Sequence, residues 1–341
     1  MLKFFGKLLI FGFVFASFMV SGQDIHYTQM YSTPLYVNPA FTGNHECDFR
    51  AGVNYRQQAA SFTIPFETYS AWGDTRVQPG FLGRRSWIGL GGNLYYDNAG
   101  DGALKKIQGM FLTAFSQGFN SDNSLYGSLG IGFGITNRSV DINKFIFGNQ
   151  WDGTRLIFDP DNIPSGESFE SSSIFYMDFN IGLSVHHLIN NKWLYEIGIS
   201  GSHINQPVES FYGLKDNKVG MKLIVSATAQ HLLTKKILLK PEAYFVTQQG
   251  VQETIVGGNV VFGLSGVKLI GGLWTRIGRD IMPTVGLEYD TFVMTFSYDV
   301  NVSTQRIASE YQGGFEFSLI KRFCYSTRTS TKSEPCKFLE F

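Results

Sequence analysis

Apolar and polar residues alternate with a period of two along most of the chain after residue 48. In one stretch every second residue from Leu129 to Ile135 is apolar, and each residue between them is glycine. Side chains of a β-strand point alternately to opposite faces, so each such segment has one apolar face and one polar face. Clusters of Asn, Asp, Ser and Gly, such as 97–102 and 120–123, separate the segments and are typical of turns.

The alternation predicts about fourteen strands, most of them longer than the 5–6 residues usual in soluble proteins. A tilted strand needs about 9–11 residues to cross a bilayer, which matches these segments. The predicted strands lie near 48–57, 65–78, 84–97, 103–118, 124–137, 171–188, 192–203, 217–231, 237–249, 252–263, 267–276, 282–290, 292–300 and 313–321.

The polar face of these strands is small and weakly charged, being rich in Gly, Ser, Asn and Thr. A membrane barrel carries apolar residues outside and polar residues inside, and it closes by pairing its last strand with its first. We therefore predict an all-β fold, a transmembrane antiparallel β-barrel of the outer-membrane type. A soluble β-sandwich, which would bury the apolar face against a second sheet, is the structural alternative.

The first 22 residues have the features of a secretory signal peptide. Lys3 and Lys7 precede an uncharged, mostly apolar run over 8–20, and cleavage is expected before Gln23. The run is too short to span a bilayer comfortably, so an uncleaved anchor helix is disfavoured.

The remaining chain is expected to have three parts and one long connection. These are an N-terminal arm over 23–46, the barrel over 47–322 with a long loop over 138–170, and a C-terminal tail over 323–341. The loop contains Pro160 and Pro164 and lacks clear strands. We interpret it as either an extended loop or a plug of the lumen.

Composition narrows the possible function. Aromatic residues make up 15% of the chain, which disfavours disorder. The 28 basic residues balance the 28 acidic ones, so a basic nucleic-acid-binding protein is also disfavoured, and we expect no nucleic-acid partner.

Candidate catalytic and metal-binding chemistry is weak. Residues 263–266 contain a serine between glycines but lack the spacing of a hydrolase nucleophile. His186 lies on the polar face of a predicted strand, where a hydrogen-bonded polar residue is the favoured interpretation over a catalytic base. We expect no enzyme, no cofactor and no metal site. Cys324 and Cys336 could form a disulfide in the periplasm, which would leave Cys47 free.

One motif in the arm has two interpretations. Asn38, Pro39, Ala40, Phe41 and Gly43 belong to a run in which Pro and Gly favour a turn before the first strand. The same residues could dock the arm inside the barrel or onto a partner.

An ordered set of motifs resembles the PorP/SprF family of type IX secretion system membrane proteins. Family members begin with an aromatic-x-Gln-aromatic stretch and a Pro-Leu-x-x-Asn-Pro-Ala-x-x-Gly run. The matching residues here are Tyr27, Gln29, Tyr31, Pro34, Leu35, Asn38, Pro39, Ala40 and Gly43. Further matching segments are 54–58, 89–104, 147–153, 201–207, 239–249, 274–290, 296–300, 313–319 and 335–338.

The sequence departs from the family pattern in two places. Ala59 stands where the family has Trp, and Gln57 stands where it has Asn. The linker over 320–334 is also longer and more basic than expected.

The resemblance covers nearly the whole mature chain and implies an outer-membrane barrel that serves type IX secretion. Members are associated with export or surface retention of cargo proteins, including gliding adhesins, and one is linked to the periplasmic motor ring. The expected partners are therefore outer-membrane lipid, a secreted type IX cargo protein and, as a further candidate, the motor-ring proteins. A passive porin is the functional alternative.

Overall fold

The computed structural model describes residues 24–58, 64–100, 104–190, 192–304, 306–307 and 309–324. The expected signal peptide and the tail beyond residue 324 lie outside this part of the chain. Within it, fourteen antiparallel strands close into one barrel. In chain order, β1 to β14 are Phe49–Gln58, Phe66–Val77, Ser86–Ala99, Leu104–Gly118, Leu125–Ser139, Ser173–Ile189, Trp193–Ser202, Lys222–Thr234, Ile237–Gln248, Val251–Gly263, Val267–Arg276, Asp280–Tyr289, Phe292–Asn301 and Gln312–Phe323.

Each strand pairs with the next along the chain, and β1 pairs with β14 to close the sheet. The closing register runs from Phe49 opposite Phe323 to Gln58 opposite Gly314. Closure leaves no exposed strand edge, which would otherwise present unpaired backbone groups to lipid. The predicted barrel and its strand number are confirmed.

The two faces of the sheet are reversed relative to a soluble protein. In β5, Ile131 is 54% exposed on the outside, whereas Gly132 and Ser128 are buried on the inside. The same order holds in β6, where Leu183 is exposed and Ser184 is buried. An apolar outer face and a polar lumen are stable only where lipid surrounds the barrel.

The two ends of the barrel differ in their connections. Phe49, which begins the first strand, and Phe323, which ends the last strand, lie at the same end of the barrel. The turns between strands at this end are short. The opposite end carries the long connections 140–172 and 203–221. Outer-membrane barrels have short periplasmic turns and long extracellular loops, so the end bearing Phe49 faces the periplasm.

Helical structure is confined to short pieces. The α-helix α1 is Pro34–Val37, and 3₁₀ turns occur at Met30–Ser32, Pro39–Phe41, Gly80–Leu82, Ile142–Lys144 and Gly148–Gln150. Among the described residues, no helix is both long enough and apolar enough to cross a membrane.

Strand boundaries differ most from the prediction at β8. The pattern places its start near residue 217, whereas the strand begins at Lys222. The reason is that Lys218 forms an isolated bridge with Val208 across the extracellular loop instead of joining the barrel. Local alternation cannot distinguish these two pairings, because both are extended.

Candidate functional site

The segment that precedes β1 lies inside the barrel. We call residues 24–45 the arm, and all of them are buried or half-buried. The arm begins beside Lys106 at the extracellular end of β4 and leads to Cys47 at the periplasmic end. A cavity of about 50 Å³ between the arm and the wall has room for only a few water molecules. The arm therefore occupies the lumen along its length.

Charged groups hold the extracellular end of the arm. The Asp24 carboxylate lies 2.7 Å from Lys106 Nζ, 3.0 Å from Lys222 Nζ and 3.2 Å from His203 Nε2. Burial alone would raise the pKa of Asp24, but these three groups hold the pKa of this carboxyl well below its usual value. His203 Nδ1 also lies 2.7 Å from Asp178 Oδ2, and the two carboxylates raise the pKa of His203 against the effect of burial.

The next part of the arm is held by side chains of β13 and β14. The backbone N–H groups of Thr28 and Gln29 donate to the Glu316 carboxylate at 2.6 and 3.3 Å. Thr28 Oγ1 donates to Asp299 at 2.9 Å, and Gln29 Nε2 donates to Ser297 Oγ at 3.0 Å. The arm has no sheet partner inside the lumen, so these wall groups satisfy donors that would otherwise be buried without acceptors.

The Asn38 side chain attaches the middle of the arm to β6 and β7. Its Nδ2 donates to the backbone oxygens of Leu183 and Ile199 at 3.0 and 3.3 Å. Its Oδ1 accepts from Ala40 N at 2.8 Å, which starts the 3₁₀ turn Pro39–Phe41. One buried amide thus joins the arm's turn to the barrel wall.

Glycines of the wall make room for this turn. A Cβ atom on Gly182 would lie 1.9 Å from Asn38 Oδ1, and one on Gly130 would lie 2.3 Å from Ala40 N. Gly198 is equally close-packed, since a Cβ there would lie 2.8 Å from Asn38 Nδ2. Any larger residue at these three positions would displace the arm, so they form a glycine floor beneath it.

The periplasmic end of the arm is fixed by Asp74 of β2. Gly43 N donates to Asp74 Oδ2 at 2.7 Å, and Arg50 Nε lies 2.8 Å from Asp74 Oδ1. Arg50 Nη2 also donates to Phe41 O at 3.2 Å. Gly43 has a φ of 77° and a Cβ there would lie 2.6 Å from Gly89 Cα, so both its conformation and its packing require glycine.

His45 lies beside this cluster at the end of the arm. Burial and the nearby Arg50 lower the pKa of His45 to about 4. His45 is therefore neutral at pH 7, and its approach to Asp74 at 3.8 Å is not an ion pair.

A disulfide joins Cys47 and Cys324, whose Cα atoms are 4.4 Å apart. The sequence left open whether Cys324 pairs with Cys336, and the structure pairs Cys324 with Cys47 instead; Cys336 itself lies outside the described residues. The physical reason is barrel closure. Cys47 precedes β1 and Cys324 follows β14, and the pairing of these strands brings together residues 277 positions apart.

Sequence reasoning identified the arm motif but missed the wall residues that it contacts. The glycines at 130, 182 and 198 alternate with apolar residues on the predicted polar face, and this alternation by itself does not predict what packs against them. The inward-facing positions of these glycines could have indicated a contact, because a glycine in a strand leaves space that another segment can fill. The acceptors Asp74 and Glu316 carried no comparable signal, since their partners are distant in sequence.

His186 lies in a packed part of the lumen wall. Its ring stacks on Tyr126 at 4.4 Å, and its Nδ1 lies 3.4 Å from Glu196 Oε2. Within the part of the chain that the structure describes, no group of three or more His, Cys, Asp or Glu side chains could hold a metal ion.

The two long extracellular connections pack on each other. Glu170 N donates to Phe211 O at 2.9 Å, and Phe169 stacks on Tyr212 at 4.7 Å. The Phe145 ring also stacks on Phe169, with ring centroids 6.1 Å apart. We call residues 140–172 the outer loop. These contacts hold the outer loop against the neighbouring extracellular connection.

A closed barrel with an apolar outer face and a lumen occupied by its own N-terminal arm defines an outer-membrane β-barrel protein, located in the outer membrane. The profile of the family described as "Type IX secretion system membrane protein PorP/SprF" matches residues 19–320. The chain belongs to the PorP/SprF family and is a membrane component of the type IX secretion system.

Solved structures share the fold at low sequence identity. The toluene transporter TbuX of Ralstonia pickettii is 11% identical with a TM-score of 0.51, over 86% of this chain and 94% of that chain. A deltaS2 mutant of the monoaromatic hydrocarbon channel TodX is 10% identical with a TM-score of 0.50, over 86% and 94%. No curated protein matches the chain.

Proposed function

We propose that this barrel acts by protein–protein contact in the export or surface anchoring of specific type IX cargo. The observation that carries the proposal is the occupied lumen. The arm is attached at both ends and in the middle, and the cavity beside it has room for only a few water molecules. A barrel whose lumen is occupied by its own arm is suited to holding or handing over a protein rather than to passing solutes.

We infer that Asn38, Pro39, Ala40, Phe41 and Gly43 dock the arm. This role is supported by the Asn38 hydrogen bonds to the wall and by the Gly43 contact with Asp74. It leaves the extracellular loops and the periplasmic end free for partners. Membership of a secretion family and a packed lumen also support a role without catalysis.

The passive porin is the alternative function. A steady aqueous path would require the arm to leave the lumen, and the buried Asp24 cluster, the Asn38 contacts and the disulfide oppose this. We therefore rank cargo handling above diffusion.

Affinity purification tests the proposal. A tagged protein is solubilised in detergent from its native outer membrane, and co-purifying proteins are identified by mass spectrometry. Recovery of an exported surface protein, absent from an untagged control, is the expected result. Recovery of periplasmic motor-ring proteins alone would move the function to the core machine. A barrel that purifies alone and conducts steadily in planar bilayers would favour the porin and contradict the proposal.

A further inference from the structure

The outer loop contains a small hydrogen-bonded hairpin. Trp151–Asp152 pairs with Ile157–Phe158, and we call residues 150–159 the outer hairpin. Trp151 packs edge-on against Phe158 with ring centroids 5.0 Å apart. The hairpin base is closed by Asp159 N, which donates to the backbone oxygen of Gln150 at 2.9 Å.

Polar side chains lock the turn of this hairpin. Asp152 Oδ1 accepts from the backbone N of Thr154 and Arg155 at 2.8 and 3.1 Å. The Arg155 guanidinium bridges Asp152 and Asp159, with Nε 2.6 Å from Asp152 Oδ2. Asn162 Nδ2 donates to Asp159 Oδ1 at 2.9 Å. These bonds fix the backbone before any partner binds, which lowers the entropy cost of binding.

The locked hairpin exposes apolar side chains. Leu156 is 70% exposed, and Ile157 and Phe158 are each about half exposed. Ile146, in the same outer loop, is 59% exposed. These residues lie beyond the strands, at the extracellular end, where no lipid core covers them. Leu156, Ile157 and Phe158 thus form a run of three consecutive exposed apolar residues, a pattern that is expected only where such residues have a function.

The charge of the outer loop indicates which kind of partner would bind the exposed apolar residues. The outer loop carries six acidic residues and two basic ones over 140–172. Segments that bind anionic membrane surfaces are rich in Lys and Arg, so this composition disfavours a lipid surface. The net negative charge of the outer loop is complementary to a protein surface with an apolar patch bordered by Lys or Arg.

We propose that the outer hairpin is the contact surface for exported cargo, and that it binds an apolar cargo surface edged with basic residues. This inference rests on the proposed cargo function and locates cargo binding at the outer hairpin. Leu156 and Ile157 are the central contacts, because both are exposed, whereas the Phe158 ring packs against Trp151 within the hairpin.

Surface retention of exported proteins in the native bacterium tests the inference. The strains compared carry wild-type protein, Leu156→Ser with Ile157→Ser, Phe81→Ser, or no copy of the gene. Phe81 is the matched control, because it is 83% exposed but lies in a periplasmic turn. The readout is the ratio of protease-accessible cell-surface protein to protein in the medium. Barrel folding is checked in every strain by the shift in gel mobility on heating.

We expect the hairpin double variant to lose cargo retention by about tenfold or more, equivalent to about 1.4 kcal/mol, while Phe81→Ser behaves as wild type. If the gene deletion releases cargo and the hairpin variant does not, the hairpin inference is overturned and the cargo function stands. If the deletion itself releases none, the cargo function fails as well.

A photo-crosslinking residue at position 156 identifies what touches the hairpin. Crosslinks to an exported protein, absent when the crosslinker is at position 81, are expected. Crosslinks to lipid alone, or none at all, would refute the assignment.

Discussion

The close packing of the arm on the glycine floor predicts that adding a single methyl group to the wall will weaken docking of the arm. Replacing Gly182 by Ala places a Cβ where only 1.9 Å separates it from Asn38 Oδ1 and 3.0 Å from Pro39 Cδ. Real Cβ atoms do not approach other atoms so closely. The new methyl group cannot move away from Asn38, because it is attached to the backbone of the sheet. The Asn38 amide therefore has to move away from β6.

The cost follows from the bonds that Asn38 makes. Its side chain donates to Leu183 O and Ile199 O and accepts from Ala40 N. A buried hydrogen bond contributes about 1 kcal/mol net, so losing three weakens seating of the arm by about 3 kcal/mol. This corresponds to a loss of about 100-fold in the docking equilibrium, at about 1.4 kcal/mol per tenfold.

The assay is single-channel recording in planar bilayers, together with urea unfolding followed by gel mobility. Gly271→Ala is the matched control, because a Cβ at Gly271 in β11 would meet nothing within 4 Å. We expect a closed baseline for wild type and the control, and intermittent openings with a lower urea midpoint for Gly182→Ala. If Gly182→Ala behaves as its control does in both assays, the seating of Asn38 on the wall is wrong. Steady conductance of the wild-type protein would refute the occupied lumen altogether.

Three further predictions follow from the disulfide, the arm's charge cluster and the lipid face. Cys47→Ser should lower the stability of the barrel by about 5.6 kcal/mol in the chain-entropy model, because the bridge spans 277 residues. Cys336→Ser should leave the urea midpoint unchanged, and the reverse result would favour pairing of Cys324 with Cys336 instead. The pKa of His203 is raised above 6.5, so its contribution to arm docking is complete below pH 6.5 and is lost as pH rises through the raised pKa; bilayer openings should therefore increase with alkaline pH, and this pH dependence should be absent in His203→Gln. Ile131→Arg, near the middle of β5, should cost about 2–4 kcal/mol in bilayer refolding titrations, whereas Tyr289→Arg, at a strand end, should cost about 0–1 kcal/mol; equal costs would contradict the assigned membrane position.

Most of the barrel was predictable from the chain alone, because its information is local. A period of two, turn clusters and strand length each concern neighbouring residues, and together they located every barrel strand to within a few residues. The reversal of faces was also predictable, since small polar residues alternate with large apolar ones. The largest error, at the start of β8, fell where an extended loop has the same local pattern as a strand.

Local sequence patterns could not predict which segment fills the lumen. The chain offered two candidate plugs, the N-terminal segment and the long loop, and nothing local distinguishes between them. The structure places the arm in the lumen because distant groups converge there: Asp24 meets Lys106 and Lys222, and Glu316 accepts the arm's N–H groups. The outer loop instead packs on its neighbour above the barrel.

Local alternation in the sequence thus established the strands, their faces and the membrane environment, whereas barrel closure decided the disulfide and the place of the arm. Cys47 and Cys324 are neighbours only because β1 pairs with β14, and Asn38 meets Gly182 only because a closed wall encloses it. Contacts between residues hundreds of positions apart depend on the register of the whole sheet, which no short window of sequence contains.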